Sequence, residues 1–91
     1  MEDDLELLRA QLDALDDALL ELLERRARLS LRVGELKRRS GGRVRQPERE
    51  AAILSRLSGL AAQKGGPLGQ AQLENIYRAI FAVSRQLQEG E

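Results

Sequence analysis

The sequence predicts an all-α fold of three helices, the first of them very long, joined to a second copy in an intertwined helical homodimer. Three observations lead there. Leu5, Leu8, Leu12, Leu15, Leu19, Leu22, Arg26, Leu29, Val33 and Leu36 form a stripe whose steps alternate three and four, the spacing of one helix face. No segment shows the strict alternation of a half-buried strand, and no internal repeat is present. Leu, Ala and Arg dominate, 33% of residues are charged, and Tyr77 and Phe81 are the only aromatics, a composition typical of helical proteins.

The first helix is predicted from about Glu2 to Arg39. Acidic residues crowd its start and Lys37, Arg38 and Arg39 crowd its end, both matching the helix dipole. Gly34 lies inside it at a cost of roughly 1 kcal/mol relative to Ala. It marks either a weak point or a place where something packs against the backbone. Ser40-Gly41-Gly42 is a stop signal. Pro47 suits the first turn of a second helix over 47–64, with Gln46 before it as a weaker cap than Asp or Ser. Ile53, Leu54, Leu57, Leu60 and Ala61 form its apolar face, and Gly65-Gly66-Pro67 ends it. The third helix is predicted over 70–88, with the stripe Leu73, Ile76, Tyr77, Ile80, Ser84 and Leu87.

Length then demands a partner. A helix of about 38 residues is about 57 Å long. A compact globule of this chain length has a radius of gyration near 12 Å and is only about 30 Å across. Two short helices cannot cover such a rod, so its leucine face calls for a second copy. The plainer alternative is a monomeric bundle in which the first helix breaks at Gly34.

Composition also restricts the chemistry. The chain forms one small domain over 1–91. Its 15 basic and 15 acidic residues balance, so no global field draws it to nucleic acid or to a membrane surface. With neither Cys nor His, disulfides, ordinary zinc or copper sites, triad hydrolysis and metal hydrolysis are all disfavoured. No metal and no cofactor is expected. The opening Met1-Glu2-Asp3-Asp4 is acidic, unlike a signal peptide, and no apolar run approaches the ~20 residues of a membrane span. A cytoplasmic protein is expected. An enzyme built this way would work by positioning and fixed charge.

Several polar residues fall on apolar faces. Nine of the ten stripe positions in the first helix are aliphatic and the tenth is Arg26. A guanidinium keeps its charge at ordinary pH, and burying an unpaired ion costs several kcal/mol. Arg26 therefore reaches water, pairs with a carboxylate such as Glu50, or meets an anionic ligand. Lys37 follows eleven positions later, about 20° around the helix and about 16 Å along it, or it is a solvated cation at the helix end. Ser84 and Gln88 share a face of the third helix, or Ser84 fills core space and Gln88 belongs to a frayed tail. Arg49 and Glu50 stand in the first turn of the second helix and read by themselves as ordinary first-turn residues. Their coincidence on facing surfaces favours a binding site. Arg9 lies about 25 Å from Arg26 along the same helix, so it can join Arg26 around a small ligand only from the other subunit of an antiparallel dimer.

Taken in order, Leu8-Arg9, Leu15-Asp16, Leu22-Leu23-Glu24-Arg25-Arg26, Val33-Gly34-Glu35-Leu36-Lys37, Val44-Arg45-Gln46-Pro47-Glu48-Arg49-Glu50 and Ile80-Phe81-Ala82-Val83-Ser84-Arg85-Gln86-Leu87-Gln88 resemble the all-α chorismate mutases over nearly the whole chain. That resemblance implies an isomerase that converts chorismate to prephenate in aromatic amino-acid biosynthesis, as an intertwined dimer without a cofactor. It also implies roles. Arg26 would bind one substrate carboxylate and Arg9 of the partner chain the other. Lys37 would contact a carboxylate and the ether oxygen, with Gln88 donating to that oxygen from the opposite side. Glu50 would accept from the ring hydroxyl, while Ser84, Arg49 and the backbone near Gln46 would hold the ring-carboxylate end. Gln46 departs from the Asp that is common in the family at this position.

Other readings stand beside it. Isochorismate-pyruvate lyases are similar in fold and carry a similar Pro-Glu-Arg turn, but have an apolar residue where Glu50 stands. Domains of this kind also occur fused or bound to DAHP synthase, the first enzyme of the shikimate pathway, where they act as catalytic or regulatory modules. The last reading, from another class, is a non-catalytic helical dimerisation or nucleic-acid module. The cluster Arg38, Arg39, Arg43, Arg45 and Arg49 favours it, while neutral charge and scarce aromatics oppose it.

Overall fold

The structure, a computed structural model, describes residues 2–42 and 46–90. Arg43, Val44 and Arg45 of the loop motif lie outside the described residues. Three helices account for the fold: α1 (Glu2–Ser40), α2 (Pro47–Lys64) and α3 (Gln70–Glu89). No strand occurs among the described residues, and no helix is long and apolar enough to cross a membrane.

Local chemistry sets the helix ends. Gly41 takes φ +74° directly after α1, a conformation that costs a glycine little. Pro47 occupies the first turn of α2. The Gln46 side chain makes no capping bond, in keeping with its poor capping propensity. Its backbone carbonyl instead accepts from the amides of Arg49 and Glu50, both at 3.1 Å. Gly65 closes α2 at φ +67°, its amide donating to the carbonyls of Ala61 and Ala62. At the start of α3 the Gln72 side chain reaches back to accept from the Gly69 amide at 3.0 Å, satisfying one of the donors every helix start leaves open.

α3 is the central element, packed on α1 along one side and on α2 along another. Its buried sector is therefore wider than a single stripe. Phe81 stands about 80° around the helix from Leu73, off the predicted stripe, yet at 5% exposure it is the most buried apolar residue among those described. Ile76, about 60° the other way, was placed on the stripe but is 46% exposed. Burial on α3 follows its two packed sides, with Ser84 against α1 and Phe81 beside Pro47 and Leu54 of α2, rather than one stripe.

The continuous α1 contradicts a break at Gly34. The chain extends 57 × 26 × 16 Å with a radius of gyration of 16.5 Å, against about 12 Å for a compact domain of this length. Every aliphatic member of the α1 stripe is exposed, from 39% at Val33 to 65% at Leu15 and Leu29. An apolar groove of about 270 Å³, formed by Leu23, Ala27, Ala79, Ile80, Val83 and Leu87, runs between α1 and α3 beside Arg26 and Ser84. Scattered exposed leucines are unremarkable in soluble proteins, but a contiguous face of them marks an interaction surface.

Candidate active site

The C-terminal half of α1, the first turns of α2 and the second half of α3 enclose an open cleft of about 300 Å³. α1 contributes Arg26, Ser30, Val33 and Lys37, each one turn from the next. α2 contributes Arg49, Glu50 and Ile53, with Gln46 just before it, and α3 contributes Phe81, Ser84, Arg85 and Gln88. Among the described residues, four cations thus face one carboxylate, a net charge of three positive on the lining. Such a cleft concentrates anions of small-molecule size.

Each polar group has a definite position. The Arg26 guanidinium donates to Ser84 Oγ, which also accepts from Ser30 Oγ at 3.3 Å. Ser30 and Ser84 are both buried, so this bond lies in the wall between α1 and α3. The guanidinium carbon is 6.0 Å from the centre of the Phe81 ring, at the outer edge of a cation–π contact. Among the described residues no carboxylate pairs with Arg26; the internal pairing with Glu50 weighed from the sequence does not form. Glu50 instead pairs with Arg85, Oε2 to the guanidinium at 2.5 Å.

The far end of the cleft is fixed where α1 meets the end of α3. Lys37 Nζ donates to Gln88 Oε1 at 2.8 Å, and Arg38 donates to the Gln88 backbone carbonyl at 2.8 Å. A Cβ placed on Gly34 would lie 2.5 Å from that same carbonyl oxygen and 2.7 Å from the Gln88 Cα. The glycine inside α1 is therefore a point of close backbone approach. It brings Gln88 within reach of Lys37.

Seven of the eight residues singled out in the sequence line this one cleft: Arg26, Lys37, Gln46, Arg49, Glu50, Ser84 and Gln88. The eighth, Arg9, does not; it is exposed near the other end of α1. Sequence reasoning missed Ser30 and Arg85. Ser30 follows Arg26 by one helical turn, so the i, i+4 spacing already placed it on the same face. Arg85 is about 100° around α3 from Ser84, and its role becomes visible only once α2 is packed against that flank.

A cationic cleft with opposed donors and no thiol or imidazole suits a reaction that needs orientation and charge stabilisation rather than a nucleophile. Comparison with known proteins agrees. The profile of the family described as chorismate mutase type II matches residues 8–89. A bifunctional chorismate mutase/prephenate dehydratase of Aquifex aeolicus is 34% identical over 88 residues, covering 96% of this chain and 24% of that protein. A 4-amino-4-deoxychorismate mutase of Streptomyces venezuelae is 38% identical over 80 residues, covering 88% of this chain and 76% of that one. The T-protein of Enterobacter agglomerans is 43% identical over 77 residues, 85% of this chain and 20% of its own length. The chain thus spans about a quarter or less of the bifunctional protein and the T-protein, and most of the Streptomyces enzyme. With its helices, its cleft and this match taken together, the chain belongs to the type II chorismate mutase family, a family of isomerases.

Proposed function

We propose that this chain converts chorismate to prephenate in aromatic amino-acid biosynthesis, with its site completed by a second copy of itself. The observation that carries the reading is the Lys37–Gln88 pair, held at 2.8 Å across the same cleft as Arg26. The rearrangement is pericyclic: the ether C–O bond breaks as a C–C bond forms, with no nucleophile and no proton transfer. Catalysis then consists of folding a flexible dianion into a compact chair and stabilising negative charge that grows on the ether oxygen.

Lys37 Nζ and the Gln88 amide serve that oxygen. The amide has two N–H donors to offer because its Oε1 is already engaged by Lys37. Arg26, oriented by Ser84, takes one substrate carboxylate. Arg9 of the second copy takes the other, and Glu50 accepts from the ring hydroxyl. Arg49, Ser84 and the backbone at Gln46 hold the ring-carboxylate end. The exposed stripe of α1 and the extended shape of the chain support the dimer, since both leave a long apolar face to cover. The reading includes a cytoplasmic setting and admits association with DAHP synthase, in one chain or as a separate protein.

Loss of chorismate absorbance on addition of purified protein, with prephenate identified as product, is the direct test. No turnover, or pyruvate release from isochorismate instead, would overturn the assignment. A second substrate reading comes from the Streptomyces relatives named 4-amino-4-deoxychorismate mutase, at 38% and 36% identity. That compound carries an amine where chorismate has its ring hydroxyl, so the same assay with both compounds separates the two.

A further inference from the structure

Among the described residues, Glu50 is the only acidic group lining the cleft, and on the reading above it faces the ring substituent. An isolated carboxylate there would accept from a hydroxyl, but it would attract a ring ammonium still more strongly. An allylic amine is protonated near neutral pH, so an unpaired Glu50 would favour the amino compound. The structure does not leave it unpaired. Arg85 holds Glu50 Oε2 at 2.5 Å, and both side chains are about one-quarter exposed, so the pair is only partly screened by water. The charge of Glu50 is offset before a ligand arrives, while its second oxygen can still accept a hydrogen bond.

We infer that Arg85 determines specificity through Glu50, making that carboxylate an acceptor for a neutral ring hydroxyl and setting the site against a ring ammonium. The surrounding cations act in the same direction, because Arg26, Lys37 and Arg49 line the same cleft and an ammonium entering it meets a net positive field. Arg85 also fixes the rotamer of Glu50 by joining α3 to the first turn of α2, which makes it a positioning residue. This inference rests on the proposed rearrangement and on Glu50 facing the ring substituent.

The test compares kcat/KM for chorismate and for 4-amino-4-deoxychorismate in the wild type, Arg85→Gln and Arg85→Lys. A ratio of two substrates on one preparation cancels any loss of folded protein. The wild type should prefer chorismate. Arg85→Gln should shift the ratio toward the amine by roughly tenfold, the size expected of one charge contact at a partly exposed site, chiefly through KM for the amine. Arg85→Lys, which keeps the charge, should retain most of the wild-type ratio. An unchanged ratio in Arg85→Gln would overturn the inference while leaving the rearrangement of chorismate standing. A wild-type preference for the amine would overturn the inference and favour the amino compound as the substrate. Failure of the wild type to turn over either compound would remove both.

Discussion

Gly34 and Gln88 touch through their backbones: a methyl group on Gly34 would sit 2.5 Å from the Gln88 carbonyl oxygen. This contact, together with the Lys37 and Arg38 bonds to the same residue, fixes the end of α3 against α1. Gly34→Ala sets two effects against each other. Helix propensity alone would stabilise the variant by roughly 1 kcal/mol. The collision is with backbone, which cannot rotate away, and overpacking of this kind costs about 1–3 kcal/mol. The clash should win. Thermal unfolding should show a lower Tm, and turnover should fall at least tenfold as Gln88 leaves Lys37. A Tm above wild type would mean that the helices slide apart freely.

On the proposed reading, Lys37→Ala removes the cation that serves the ether oxygen. By comparison with a lost oxyanion-stabilising donor, kcat should fall about 10²–10³-fold. Arg26→Ala should cost a similar factor in kcat/KM with a larger share in KM, since the carboxylate assigned to it in the proposal is present in substrate and transition state alike. Steady-state kinetics on chorismate distinguishes the two patterns.

Arg9 is outside its own cleft, so its contribution can be tested by mixing subunits. Arg9→Ala and Arg26→Ala should each be inactive alone. A mixed dimer contains one site in which both arginines are intact and one in which both are missing. Random mixing after unfolding and refolding should therefore restore about a quarter of wild-type activity. If the mixture stays inactive while the parents remain dimeric, Arg9 does not act across the interface.

Leu15 is 65% exposed in the single chain, and substitutions at such a position in a monomer usually stay within about 0.5 kcal/mol. On the buried seam of a dimer, Leu15→Arg should instead break the assembly. Light scattering should give twice the chain mass for the wild type and the single-chain mass for Leu15→Arg. A wild type at single-chain mass would rule out the dimer.

Ser58 carries a buried hydroxyl with no hydrogen-bond partner among the described residues. Ser58→Ala removes that unsatisfied group and introduces a better helix former. Stability should rise by about 1 kcal/mol, seen as a higher midpoint in urea with an unchanged slope.

The three helices were legible because each is specified locally. The 3–4 spacing of α1, Pro47 in the first turn of α2 and Gly65 at its left-handed end are short-range signals. The cleft was legible to the extent that its residues break an apolar face, as Arg26, Lys37, Ser84 and Gln88 do. Arg85 breaks no such face; it flanks Ser84 in sequence and gains its role from the packing of α2 on α3. Phe81 was missed as a core residue for the same reason, because a helix with two neighbours buries more than one stripe. Gly34 was recognised as exceptional, but only the position of Gln88 shows why.

Charge along α1 and into the following loop is sorted. Residues 2–24 hold nine of the chain's fifteen carboxylates and a single arginine, whereas residues 25–49 hold ten of its fifteen cations and two carboxylates. A chain with no net charge is thus a polar rod, negative at one end and positive at the other. Two such rods laid in the same direction set like charge on like; reversed, they set acid on base. In the proposed dimer, charge would therefore select the direction of pairing at longer range than leucine contacts can act, and raising the salt concentration should slow assembly before it weakens the dimer.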